Sequence, residues 1–399
     1  AGGAHSSPEV PDVRARSASG KMGGPAAESK ADAKPRILLM GMRRSGKTSI
    51  QKVVFHKMSP HETLFLEGTT KIIKTDISNS AFLQFEVWDF PPPGPSDFTD
   101  TQVAKWASVF TQCSALVWVI DVQEDYSESI SRLQAALVIA ARANPQLSVE
   151  VFVHKGDALS EDQRFDAQRD VHEQLSQEMA NARVAVPLRV FLTSIYDHSV
   201  FEAFSKVVQK LLPQLPLLQN LLDTLLTKCA GEKAFLFDMV SKLYLATDSS
   251  PVDMQLYELC SDVIDVVIDV SYIYGPKDKD GAAAAGAAGA GAQATGVKEG
   301  AGPGAPAGEL DAAGEWSGAS LADAAAQSSA VIRLSSGSVL HLRHVNQYTA
   351  LVCIMSDRTL AKQGLVEFNL QRFTEAVRLL FQRPPGAGAD TARGSVAVA

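Results

Sequence analysis

Eight consecutive residues, Gly41-Met42-Arg43-Arg44-Ser45-Gly46-Lys47-Thr48, spell G-x-x-x-x-G-K-[ST] without a break. They lie between an apolar run, Ile37 to Met40, and a helix-competent run, Ser49 to Lys57, the strand-to-helix context that this pattern needs. Glycines at 41 and 46 let the backbone curl so that successive N–H groups face phosphate oxygens, and the N-terminus of the following helix favours the same anion. Lys47 is placed to reach β- and γ-phosphates, and the Thr48 hydroxyl to ligate Mg²⁺. Ser45 and Ser49 flank these groups. Arg43 and Arg44 read either as phosphate contacts or as solvated loop arginines.

Phosphate chemistry alone admits a kinase, an ATPase or a GTPase. The base is addressed further along, where Val151-Phe152-Val153 delivers His154-Lys155-Gly156-Asp157 at a strand's carboxyl end, the side on which open α/β sheets bind ligands. A carboxylate at 157 can accept two hydrogen bonds from the N1–H and 2-amino group of guanine, a pattern adenine lacks, and the Lys155 stem can cover the base. Leu192-Thr193-Ser194-Ile195 ends the next strand, where a backbone N–H can meet guanine O6. The order of these elements favours guanine over a small-molecule kinase site.

The elements that must hold these residues show as apolar runs at Ile37 to Met40, Phe82 to Trp88, Ala115 to Ile120, Val149 to Val153 and Leu188 to Leu192. Continuous rather than alternating runs suit strands covered on both faces. Helices are expected at Ser127 to Ala143, Arg164 to Ala182 and Phe201 to Leu212, so the alternation predicts an α/β domain with a mostly parallel sheet. A second, smaller α+β region follows: a leucine face from Leu217 to Leu226, strands at Ala234 to Phe237 and Leu243 to Ala246, and a helix from Pro251 to Tyr274 whose Asp262, Asp265 and Asp269 share a solvated face. Strands at Val331 to Leu334, Val339 to Val345 and Tyr348 to Met355 come next, then a last helix through Phe381. The expected domains are therefore 35–215 and 216–382, with a low-complexity Gly/Ala insertion at about 276–328, a disordered arm at 1–34 and a disordered tail at 383–399.

Composition narrows the function. Lys and Arg number 37 against 45 Asp and Glu, a net charge of −8 that argues against a nucleic-acid partner. No run approaches the roughly 18 apolar residues of a membrane span, which argues against direct membrane insertion. Four widely spaced cysteines suit a reducing compartment rather than a disulfide or zinc framework.

Beyond these motifs, the stretches GMRRSGKTSIQKVVFHKMSP, WDF, FLTSIYDHSVFEAFSKVVQKL and KAFLFDMVSKLYLATDSSPVDMQLYELCSDVIDVVIDVSYIYG resemble the C/D type of Rag family small GTPases. The resemblance spans about residues 35 to 382 apart from the insertion. It implies a Ras-like P-loop GTPase domain followed by a roadblock/longin-like domain, GTP or GDP with Mg²⁺ as cofactors, and pairing with an A/B-type Rag GTPase into a heterodimer. It further implies a lysosomal or vacuolar docking complex, the TOR complex and GTPase-activating proteins as partners in amino-acid signalling. Location would be the cytoplasm and the cytosolic face of the lysosome or vacuole, with the nucleus also open. With no cysteine to prenylate in Gly394 to Ala399, recruitment is expected through a docking protein.

Carried over residue by residue, the resemblance makes Thr69, in Leu66-Glu67-Gly68-Thr69, the switch threonine that senses γ-phosphate and Mg²⁺, and Asp89 the acid that holds Mg²⁺. His154 stands where other small GTPases carry Asn, and a structural histidine is the competing reading. The departure follows Asp89. Where such proteins continue D-x-x-G-Q, this chain has Phe90-Pro91-Pro92-Pro93-Gly94-Pro95. Pro92 has no N–H to offer a γ-phosphate, and Pro93 replaces the Gln that orients water. No catalytic residue is assigned, and the expectation is nucleotide binding with very slow hydrolysis, or a hydrolysis-defective scaffold.

Overall fold

A computed structural model describes residues 34–78, 84–94, 96–99, 102–184, 186–274, 329–346, 348–360 and 362–382. The expected arm, apart from Lys34, and the expected Gly/Ala insertion and tail lie outside them. The first region runs β1 (Arg36–Gly41), α1 (Lys47–His56), a 3-10 turn (Pro60–Phe65), β2 (Ile73–Ile77), β3 (Phe85–Asp89), α2 (Val103–Thr111) and β4 (Ala115–Asp121). It continues with α3 (Ser127–Ala143), β5 (Ser148–His154), α4 (Glu161–Asn181), β6 (Leu188–Thr193) and α5 (Ser199–Gln209). The second runs α6 (Leu215–Cys229), β7 (Gly231–Asp238), β8 (Tyr244–Thr247), α7 (Met254–Tyr274), β9 (Ser329–Arg333), β10 (Ser338–His344), β11 (Thr349–Ser356), α8 (Asp357–Leu360) and α9 (Gln363–Gln382).

The first sheet has the order β2-β3-β1-β4-β5-β6. Every neighbouring pair is parallel except β2 with β3. All seven residues of β4 are buried, which is why its sequence is an unbroken apolar run: α1 and α5 cover one face of the sheet, α2, α3 and α4 the other. Two elements had no strong sequence signal. β2 is a half-exposed antiparallel edge strand, Ile-Lys-Thr-Asp-Ile, without an apolar run, and α2 is nine residues following a proline-rich loop.

The second sheet, β8-β7-β11-β10-β9, is entirely antiparallel. One face packs on α6 and α9, the other on α7. This antiparallel sheet fits a roadblock-like domain. Of the leucine face on α6, Leu218, Leu222 and Leu225 are buried, whereas Leu217 is exposed to solvent. Nor is the α7 acidic face simply solvated: Asp265 pairs with Lys242 at 2.7 Å and Asp262 lies 3.7 Å from Nε2 of His198. The regions are joined along α5. Ser205 Oγ accepts the Tyr244 N–H at 3.0 Å, and Gln209 Nε2 donates to the Tyr244 carbonyl at 3.3 Å.

Candidate functional site

Loops at the carboxyl ends of β1, β3, β4, β5 and β6 surround one cavity of about 1010 Å³. Its location follows from the parallel sheet, since all these strands point their carboxyl ends the same way. Its volume is at the upper end of ordinary ligand pockets.

The phosphate motif forms one wall. Gly41 has φ +143° and Gly46 φ +99°, and a Cβ at Gly41 would stand 2.2 Å from the Val119 carbonyl oxygen, so this turn tolerates no side chain there. Arg43, Arg44, Gly46, Lys47, Thr48 and Ser49 line the cavity. Ser45 does not; it is buried and donates to the Met42 carbonyl at 3.0 Å, bracing the turn from within. Lys47 Nζ donates to the carbonyls of Gly41 (2.9 Å) and Met42 (2.6 Å). Burial lowers its pKa to about 8, partly offset by the Asp89 carboxylate.

Behind Lys47 three oxygens converge. Thr48 Oγ1 donates to Oδ2 of Asp89 at 2.6 Å, and Thr69 Oγ1 lies 2.7 Å from Thr48 Oγ1 and 3.2 Å from the same carboxylate oxygen. Thr70 also lines the cavity, but the hydroxyl in this cluster is that of Thr69. Asp89 is fully buried and its other oxygen, Oδ1, has no partner. Burial raises its pKa, against the Thr48 bond and Lys47. An orphaned buried carboxylate oxygen beside two hydroxyls is a hard-oxygen donor set, which fits Mg²⁺ shared with phosphates. Such an ion would supply charge neutralisation between phosphate oxygens. Among the described residues no group of three or more His, Cys, Asp or Glu is arranged for a metal.

At the opposite end Asp157, Lys155 and Ile195 line the cavity. Asp157 Oδ1 accepts from Ser194 Oγ at 2.6 Å. Ser194 itself does not line the cavity, and its N–H is given to Ser199 Oγ at 2.8 Å. Lys155, in a left-handed conformation at φ 65°, ties its ammonium to Asp121 at the end of β4. His154 is buried between the two ends: its Nδ1 lies 3.0 Å from Thr193 Oγ1, and a Cβ on Gly46 would stand 2.5 Å from its Cδ2. It packs on the phosphate turn as well as serving the core, and burial lowers its pKa to about 4.

Residues without a motif complete the walls. Gln123 follows β4, Tyr196 follows Ile195, and Leu64, Leu66 and Glu67 come from the segment before Thr69. Tyr196 meets the His61 ring at 5.6 Å, so the 3-10 turn reaches the Asp157 end of the cavity. Adjacency to Ile195 was the one signal that could have found Tyr196; Gln123 and Leu64 gave none. Pro91 and Pro92 also line the cavity, while Pro93 is buried outside it.

Residues 36–264 match the model of the Gtr1/RagA G protein conserved region. This chain belongs to the Gtr1/RagA family of G proteins. It is 48% identical over 350 residues to human Ras-related GTP-binding protein C, covering 88% of this chain and 77% of that one. It is 45% identical over 350 residues to GTP-binding protein gtr2 of Schizosaccharomyces pombe, covering 87% and 98%. Ras-related GTP-binding protein A of Dictyostelium discoideum is 24% identical over 235 residues, covering 58% and 76%. Similarity to the C and gtr2 proteins is thus about twice that to the A protein, which places the chain as a Rag GTPase subunit of the C/D and gtr2 kind.

Proposed function

We propose that this chain is a guanine-nucleotide-binding switch subunit that binds GTP and GDP with Mg²⁺ and works as half of a heterodimer with an A/B-type Rag GTPase. The observation that carries the reading is the Ser194–Asp157 hydrogen bond, which holds a carboxylate in the cavity opposite the phosphate turn. A carboxylate fixed there accepts from guanine and repels the acceptor N1 of adenine. The site residues in this reading are Arg43 through Ser49, Thr69, His154, Lys155, Asp157, Ser194 and Ile195 for nucleotide, with Thr48, Thr69 and Asp89 for metal. Loading with mant-GDP and mant-ADP tests it: tight binding of mant-GDP alone is expected, and a preference for mant-ADP would overturn it.

In this reading, which the resemblance to the C/D type of Rag GTPases implies, the subunit signals amino-acid sufficiency to the TOR complex on the cytosolic face of the lysosome or vacuole. Recruitment would run through a docking complex, and GTPase-activating proteins would act on the heterodimer. No helix among the described residues is long and apolar enough to cross a membrane. Co-expression with an A/B-type subunit, followed by sizing, tests the heterodimer; failure to co-purify would count against it. A hydrolysis-defective form of the same subunit is favoured by one observation, the two prolines that line the cavity after Asp89.

A further inference from the structure

The segment after Asp89 is anchored at several points. Pro93 is buried. The Gly94 N–H donates to Oδ2 of Asp97 at 2.6 Å, and the Gly94 carbonyl accepts from Nη1 of Arg132 on α3 at 3.2 Å. Arg132 is itself held by Glu128, one turn away, at 3.1 Å. Phe98 then packs its ring against Trp106 of α2 at 4.9 Å and Trp118 of β4 at 6.5 Å. Trp106 continues this aromatic cluster to Phe90 and Phe110 at 5.7 and 5.9 Å. Proline rings fix φ at 91, 92 and 93. The segment before Thr69 contrasts with this: Leu64 and Phe65 are 72% and 87% exposed, and a Cβ at Gly68 would meet nothing within 4 Å.

We propose that the terminal phosphate of the nucleotide is read in this chain by one segment, Glu67 to Thr70 with Thr69 as its sensor, while residues 91–94 and 96–99 stay fixed in both nucleotide states. This rests on the guanine-nucleotide reading above. A ligand shifts a segment only through a difference in interaction between two states. Pro91, Pro92 and Pro93 have no N–H, and that of Gly94 is committed to Asp97, so residues 91–94 have no backbone donor to gain or lose with a terminal phosphate, and the N–H groups of Asp97 and Thr99 are given to the Gly94 and Ser96 carbonyls. Thr69 brings a side-chain donor instead: its hydroxyl, now shared with Thr48 and Asp89, borders the cavity on a loosely packed segment. A partner that distinguishes the states must then touch the exposed stretch around Leu64 to Thr70, not the proline strap.

Hydrogen exchange of the full chain in Mg²⁺–GDP and Mg²⁺–GTPγS tests this, with retained nucleotide quantified in the same samples. Exchange at residues 66–70 is expected to change by about tenfold or more between the two nucleotides, and at 94 and 96–99 by less than about twofold. Arg132→Ala and Asp97→Ala, which release the anchors, should speed exchange at 94–99 equally in both states. Retained nucleotide with a wild-type response at 94–99 as large as that at 66–70 would overturn this inference alone. Failure to retain guanine nucleotide would overturn the nucleotide reading and this inference with it.

Discussion

Ser194, on the loop after β6, gives its hydroxyl proton to Oδ1 of Asp157, on the loop after β5, across 2.6 Å. The bond fixes one carboxylate oxygen and leaves the other for a ligand. Asp157→Asn should exchange the acceptor for a donor and shift preference from guanine to xanthine nucleotides. Ser194→Ala should keep guanine preference but weaken affinity by roughly tenfold, the worth of one hydrogen bond to a charged group. Competition against mant-GDP measures both; unchanged guanine affinity in Asp157→Asn would remove that residue from the site.

Gly41 and Gly46 make unequal demands on space. A Cβ at Gly41 would meet the Val119 backbone oxygen at 2.2 Å, a contact that only a shift of β4 relieves; at Gly46 it would meet the His154 ring, a side chain. Both glycines also have φ values that penalise any other residue, by about 1 kcal/mol or more. Gly41→Ala should therefore be the more destabilising in urea melts, and Gly46→Ala should mainly weaken nucleotide binding. Equal loss of stability in the two would show that β4 yields as easily as the imidazole.

Acid should loosen the site through His154. Its folded pKa, about 4, lies below the ordinary 6.5, so between those values the unfolded chain carries the proton and the folded chain does not. Stability therefore rises with pH through this window and falls on acidification, by up to about 1.4 kcal/mol per pH unit for one such histidine. His341 and His344, also lowered by burial, act in the same sense, while Asp89 and Asp238, raised by burial, act against it. The contribution of His154 is isolated by His154→Asn, which should flatten the pH dependence of urea stability between pH 6.5 and 5. An unchanged slope would mean that His154 titrates normally.

Much of this site was legible because its residues are tied to strand ends. An apolar run followed by Gly41 to Thr48, or by His154 to Asp157, fixes both the element and the side of the sheet on which its loop lies. Thr69 was legible only through family resemblance, since Leu66 to Thr70 carries no periodicity; the geometry then separates it from Thr70 by the bond to Asp89. Tertiary pairings stayed out of reach. Nothing in the spacing of Asp121 and Lys155, Gly94 and Arg132, or Ser205 and Tyr244 announces that they meet. The β2 edge was missed for a related reason: a half-exposed edge strand that buries only Ile77 in the core needs no apolar run.

Thr48, Thr69 and Asp89 make a metal prediction that does not depend on hydrolysis. Chelation of Mg²⁺ by EDTA should speed release of bound mant-GDP by tenfold or more, because in the proposed site these donors would hold the cation against the phosphates. In Thr48→Ala, which removes the hydroxyl 2.6 Å from Asp89, release should already be fast and EDTA should add little. A chelator effect as large in Thr48→Ala as in the parent chain would place the metal elsewhere.

The proline strap makes the remaining prediction, slow hydrolysis, and also says how it will resist repair. Single-turnover release of phosphate from bound GTP should fall below the ~10⁻⁴ s⁻¹ of an unassisted small GTPase. Pro93→Gln restores the missing side chain by sequence position, yet Pro93 is buried and does not line the cavity, so an amide there is aimed into the protein and should add little. Pro92 does line the cavity. Pro92→Gln combined with Arg132→Ala, which frees the Gly94 carbonyl from α3, should therefore accelerate hydrolysis more than Pro93→Gln does. The reverse order would show that the strap moves when nucleotide is bound, and parent-chain hydrolysis at ordinary small-GTPase rates would show that water is oriented without any residue after Asp89.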